Sequence, residues 1–140
     1  MTAIEGSCHC GNIRWRLEPS RPVDELPVRR CTCAFCAKHG AFYTSDPAGR
    51  LAVEIRDPGM VSDYRFGTRT TEPQICRQCG VMPVILTHID GNLYGVVNLA
   101  TAEGMQAAPG RVQDVNFEDQ SREERIARRR RTWIADVTLS

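Results

Sequence analysis

Seven cysteines in a chain of 140 residues constrain this sequence more than any other feature. They fall into three tight groups: Cys8-His9-Cys10-Gly11, Cys31-Thr32-Cys33-Ala34-Phe35-Cys36 and Cys76-Arg77-Gln78-Cys79-Gly80. An odd count would leave one thiol over in a framework made only of disulfides. No basic stretch followed by an apolar one opens the chain, so no secretory signal is visible. The most apolar run, residues 81–89, is far short of a membrane span and contains Pro83 and His88. The expected location is therefore the cytoplasm, where thiols stay reduced and clustered cysteines point to metal or catalysis.

Zinc takes four ligands at the corners of a tetrahedron. A C-x-x-C pair on a turn points both sulfurs inward, and a C-x-C pair on an extended segment puts both on one face. Glycine follows the second cysteine in the first and third groups, where a positive φ lets the backbone fold around an ion. Two such half-sites complete one structural site of Cys8, Cys10, Cys76 and Cys79, which would clamp the N-terminal hairpin to the middle of the chain. Structural zinc in small peptides is worth about 10–16 kcal/mol, as much as the whole net stability of a domain, about 5–15 kcal/mol.

The middle group has no fourth cysteine. Three protein ligands and an open position are the arrangement of catalytic zinc, so Cys31, Cys33 and Cys36 are the candidate catalytic residues through a second zinc ion. Two other readings stay open. His39, three residues beyond Cys36, or a carboxylate from elsewhere would close the site and make it structural. An iron–sulfur cluster is the other, although such clusters normally take four cysteines. Lys38 and His39 sit next to this group and are candidates for binding a substrate carboxylate or moving a proton.

The length suits a single domain spanning residues 1–140. Residues 13–17 alternate Ile13, Trp15 and Leu17 with Arg14 and Arg16, the pattern of a half-buried strand. Residues 51–56 and 61–66 read as a hairpin around Asp57-Pro58-Gly59, and residues 83–87 and 93–99 as another around Asp90-Gly91. Residues 102–110 read as a loop. Ser121-Arg122-Glu123-Glu124 is a capping box that starts a helix, and residues 133–139 return as a final strand. The run Arg128 to Arg131 reads as a solvated helix end. The fold class is thus mainly β, in small stacked antiparallel sheets stapled by zinc, with one or two short helices.

The three motifs together resemble the glutathione-dependent formaldehyde-activating enzyme family, also called the CENP-V/GFA domain. The resemblance rests on Gly6 to Gly11, Cys31 to Cys36 and Cys76 to Gly80, with Lys38, Gly40 and the run Tyr64-Arg65-Phe66-Gly67 beside them. It covers residues 4–100, and the helix and strand over 119–139 are assigned by pattern alone. It implies a β-tent fold and the same division into a four-cysteine structural zinc and a reactive zinc on Cys31, Cys33 and Cys36. It also implies a carbon–sulfur lyase that joins glutathione, or another small thiol, to formaldehyde, giving S-hydroxymethylglutathione.

Two further functional classes are weighed against that enzyme. The first is a non-catalytic zinc-stapled module that binds protein or nucleic acid, for which the basic helix end is the only support. The formal net charge of +1 argues against nucleic acid, and two zinc ions on seven thiolates would carry it to −2. The second is a reductase of the methionine sulfoxide type, which needs a redox cysteine outside the metal groups, and every cysteine here is committed.

Overall fold

Strand alternation and two cysteine knuckles shape the first part of the chain in the computed structural model, which describes residues 2–104 and 111–140. Strand β1 (Ile4–Ser7) turns through the first cysteine group into β2 (Ile13–Glu18), with Ile4 opposite Leu17 and Ser7 opposite Arg14. The predicted alternation holds: Ile13, Trp15 and Leu17 are buried, and the arginines between them face solvent. Then come β3 (Val28–Cys31), helix α1 (Ala34–His39), β4 (Tyr43–Thr44) and β5 (Arg50–Ile55). The remaining elements are β6 (Glu72–Gln74), β7 (Val84–Ile89), β8 (Asn92–Asn98), β9 (Val112–Val115), α2 (Arg122–Thr132) and β10 (Asp136–Leu139).

Among the described residues ten strands form two sheets, ordered β1-β2-β5-β10 and β6-β7-β8-β4-β3-β9. The protein is mainly β with few helices, as expected. Each sheet is antiparallel except for one parallel pair, β5 with β10 and β3 with β9. Among the described residues no helix is long and apolar enough to cross a membrane.

Strand β7 explains how one sheet serves two cores. Its run Val84-Ile85-Leu86 is buried on both faces, as a near-continuous apolar strand requires. Val84, Leu86 and, across the ladder, Val97 face the main core, together with Trp15, Leu17, Leu51 and Ile134. Ile85 and its partner Val96 face the other way, into a smaller core with Cys36, Tyr43, Met82 and Trp133. That second core lies directly against the middle cysteine group. The bridge between Gly95 and Ile134 ties the end of α2 to β8 and fixes Trp133 there.

The hairpin over 83–99 forms as expected, Ile89 facing Asn92 across Asp90-Gly91. The one expected over 51–66 does not. Strand β5 is enclosed by β2 and β10, which takes both its edges, and the chain leaves it through a single turn of 3₁₀ helix at Pro58–Met60. Val61 bridges Cys76 and the Ser62 amide donates to the Ile75 carbonyl, so residues 61–66 follow the third cysteine group instead. The loop expected over 102–110 lies mostly outside the described residues; Ala102 bridges Gly6.

Candidate metal centres and the adjoining cavity

The first and third cysteine groups are two copies of one local design. In the first, the Cys8 amide donates to the Ile13 carbonyl, the Gly11 amide to the Cys8 carbonyl, and the Ile13 amide to the Cys8 sulfur at 3.3 Å. In the third, the Cys76 amide donates to the Val81 carbonyl, the Gly80 amide to the Cys76 carbonyl, and the Cys79 amide to the Cys76 sulfur at 3.5 Å. Gly11 and Gly80 close the knuckles at φ 84° and 82°, values that a side chain disfavours. The two knuckles meet: Cys8 and Cys10 sulfurs lie 3.8 Å apart, and Cys10 and Cys76 sulfurs 3.5 Å. Sulfurs on a zinc ion with Zn–S near 2.3 Å stand about 3.8 Å apart. All four ligand atoms lie within 4.8 Å of one another, so this group fits a tetrahedral ion.

The middle group is built by a strand end and a short helix. Cys31 ends β3, Cys33 caps the N-terminus of α1, and Cys36 falls in its first turn. The capping geometry draws the sulfurs together, because the Cys36 amide donates to the Cys33 sulfur at 3.5 Å. Their three sulfurs lie within 4.8 Å of one another, and among the described residues no histidine or carboxylate joins the set. His39 sits instead against Phe35, ring centroids 4.7 Å apart, and is exposed, as is Lys38. Neither lines the cavity described below.

The thiols of the middle group share charge unequally. A hydrogen bond from Cys36 draws the Cys31 thiol down to about 6, against its burial. The same bond and burial push Cys36 up. The Tyr43 hydroxyl, which burial keeps protonated, donates to the Cys36 sulfur at 3.2 Å. Three sulfurs this close together, with no fourth protein ligand among the described residues, fit a metal ion bound with one position open. Neither set of cysteines contains a disulfide.

The three sulfurs border a cavity of about 370 Å³. Phe35, Phe66, Ile85, Val96 and Trp133 give it apolar walls. Its charged wall comes mainly from helix α2. Arg125, Arg128 and Arg129 of α2 line it, with Arg29 of β3 and one carboxylate, Glu118. The solvated helix end expected for residues 128–131 is therefore corrected. Arg129 is 5% exposed, and Arg128 lies over the Phe117 ring at 3.6 Å. Arg130 pairs with Asp90 at 2.8 Å, which leaves Arg131 on the exposed face. Trp133 docks the helix end into the second core, which turns the face bearing residues 125, 128 and 129 inward. That i, i+3, i+4 spacing is a helical-face signal legible in the sequence; nothing in the sequence marks Tyr43.

Residues 3–118 match the family model described as glutathione-dependent formaldehyde-activating enzyme. Among curated proteins, a Halomonas elongata protein provisionally given that same enzyme name is 30% identical over 83 residues, 54% of this chain and 51% of its own length. The chain thus spans about half the length of that curated relative. Among solved structures, a Rhodobacter sphaeroides protein superposes with a TM-score of 0.60 at 30% identity, covering 79% of this chain and 99% of that one.

Proposed function

The chain belongs to the glutathione-dependent formaldehyde-activating enzyme family, and on that premise we propose that its three-thiol centre joins a small thiol such as glutathione to a small aldehyde such as formaldehyde. The product is S-hydroxymethylglutathione, and the enzyme class is a carbon–sulfur lyase. The observation that carries this reading is the convergence of three cysteine sulfurs, without a fourth protein ligand among the described residues, on the edge of a cavity with apolar walls.

In this reading Cys8, Cys10, Cys76 and Cys79 hold a structural zinc, and Cys31, Cys33 and Cys36 hold a second. The chemistry zinc supplies at the second site is a fourth position that lowers the pKa of a thiol brought to it. The bond made is between the thiol sulfur and the carbonyl carbon. The carbonyl π bond opens, the thiol proton ends on the oxygen, and nothing is oxidised or reduced. The chain's own part is to hold the reactants in contact and to shield them from bulk water. Phe35, Phe66 and Trp133 give the cavity apolar walls, and the Tyr43 hydroxyl holds the Cys36 sulfur. The work is assigned to the cytoplasm, where free thiols persist.

A binding module without chemistry draws its support from an exposed basic helix end, and two of its four arginines, Arg128 and Arg129, turn into the cavity instead. The test is formation of S-hydroxymethylglutathione from glutathione and ¹³C-formaldehyde, followed by NMR exchange against the uncatalysed background. The full chain should accelerate exchange, and Cys33→Ser should abolish the acceleration while keeping the fold. Exchange at the background rate with the zinc-loaded chain overturns the proposal.

A further inference from the structure

Among the described residues the charged wall of the cavity has no partner of opposite charge bound to it. Arg125, Arg128 and Arg129 sit at i, i+3 and i+4 on α2, and Arg29 lines the same cavity from β3. Their hydrogen bonds go to neutral oxygens: Arg29 to the Ser45 hydroxyl, Arg125 to the Gln120 and Glu118 carbonyls, Arg128 to the Gln120 side chain, and Arg129 to the Thr70 hydroxyl. Among the described residues none of the four makes an ion pair. Arg129 is buried, and its Nε–H has no acceptor among the described residues.

A buried cation is tolerated when it is paired, and Arg129 is not; Arg29, Arg125 and Arg128 are half-buried and likewise make no ion pair among the described residues. Burial and the mutual repulsion of Arg29, Arg125 and Arg128 pull Arg128 down to about 10, and burial with its arginine neighbours does the same to Arg129. The metal centre does not balance them. Three thiolates around a divalent ion leave a single negative charge, Glu118 adds one more, and two positive charges remain over. Aromatic faces hold two of the guanidinium planes, Phe117 under Arg128 and Trp133 at 5.4 Å from Arg129.

We propose that Arg29, Arg125, Arg128 and Arg129 form a carboxylate subsite that selects thiols whose far end carries a carboxylate, glutathione-like in charge, over neutral thiols of the same size. Resting on the reading that the neighbouring sulfurs handle a thiol, it names the acidic class of thiol and the residues that choose it. A guanidinium fork matches a carboxylate with two parallel hydrogen bonds, and the apolar walls strengthen each of them. The three α2 arginines come from beyond the residues that match the family model, 3–118.

S-methylglutathione tests the subsite apart from the reaction, because it keeps both carboxylates and has no free thiol. Its binding to the zinc-loaded full chain is measured by calorimetry, beside glutathione kinetics. We expect Arg125→Gln and Arg128→Gln each to weaken it at least about tenfold, as loss of a hydrogen bond to a charged group does. Raising the salt concentration should weaken binding to the parent chain more than to the double variant. Arg122→Gln, on the exposed face of the same helix, should leave the Kd unchanged, and circular dichroism checks that α2 persists. In catalysis the two cavity variants should raise KM for glutathione and leave that for 2-mercaptoethanol alone. Unchanged S-methylglutathione affinity in both cavity variants overturns the subsite even if S-hydroxymethylglutathione forms. Arginine-dependent binding without any product upholds the subsite and sinks the proposed reaction instead.

Discussion

The hydroxyl of Tyr43 donates to the sulfur of Cys36 at 3.2 Å, inside the second core. One residue belongs to the sheet and the other to the helix of the candidate site, so this bond links the fold to the three-sulfur centre. Tyr43→Phe keeps the ring and removes only the donor. It should lower the unfolding free energy by about 1 kcal/mol and speed the loss of one zinc ion to a chelator, read with a zinc-sensitive dye. An unchanged release rate would show that the sulfur is held by the helix alone.

The two cysteine sets should respond differently to mutation. Cys76 is buried between the main core and the knuckles, and with Cys8, Cys10 and Cys79 it joins segments far apart in sequence. Cys76→Ser should therefore cost several kcal/mol, on the order of the net stability itself, and yield little folded protein. Cys33→Ser should fold and retain one zinc ion. Thermal melts with metal analysis check both, and a folded Cys76→Ser with a normal melting temperature would contradict the structural assignment.

Helix α2 carries the arginine wall and is started by a complete capping box, in which the Ser121 hydroxyl accepts from the Glu124 amide and Glu124 accepts from the Ser121 amide. Ser121→Ala should cost about 1 kcal/mol, read as a shift in denaturant midpoint. The Glu124 carboxyl is held below its usual range, first by the Ser121 amide. A depressed folded-state pKa gives stability that is present above the unfolded value and lost as pH falls through the folded one. The carboxylate's share of the cap should therefore fade as the pH falls below the ordinary Glu range, about 4.3, and Glu124→Gln, which keeps the helix start and removes the titration, should show a smaller acid loss than the parent.

Gly6 tests the packing of the first sheet on the loop after β8. A Cβ there would meet the Thr101 carbonyl and the Trp15 ring at 2.5 Å. Gly6→Ala should destabilise by about 1–3 kcal/mol, the usual cost of overpacking, and calorimetry reads it.

Much of this was legible in the residues. Ile13, Trp15 and Leu17 announced a half-buried strand, Asp90-Gly91 a hairpin turn, and Ser121 with Glu124 a helix start, because each pattern is local and its physics is complete within a few residues. The cysteine spacing brought Cys8, Cys10, Cys76 and Cys79 together on paper as the structure does in space. Pairing between distant strands was not legible. Residues 61–66 alternate like a strand, yet β5 already has partners on both sides, one of them from the far end of the chain. The arginines were misplaced for a similar reason: which face of α2 turns inward is set by Trp133 docking into the second core, a contact no local pattern encodes.

Cobalt(II) in place of zinc tests most directly whether the Cys31, Cys33 and Cys36 centre is a metal site with one corner open to a substrate sulfur. The full chain, loaded with two cobalt ions, is titrated with glutathione and followed in the thiolate charge-transfer and visible bands. Glutathione should add one thiolate to one of the two ions and change the spectrum with saturation, and Cys33→Ser should bind a single ion that does not respond. Two ions that both ignore glutathione, or one ion in the parent chain, would contradict it.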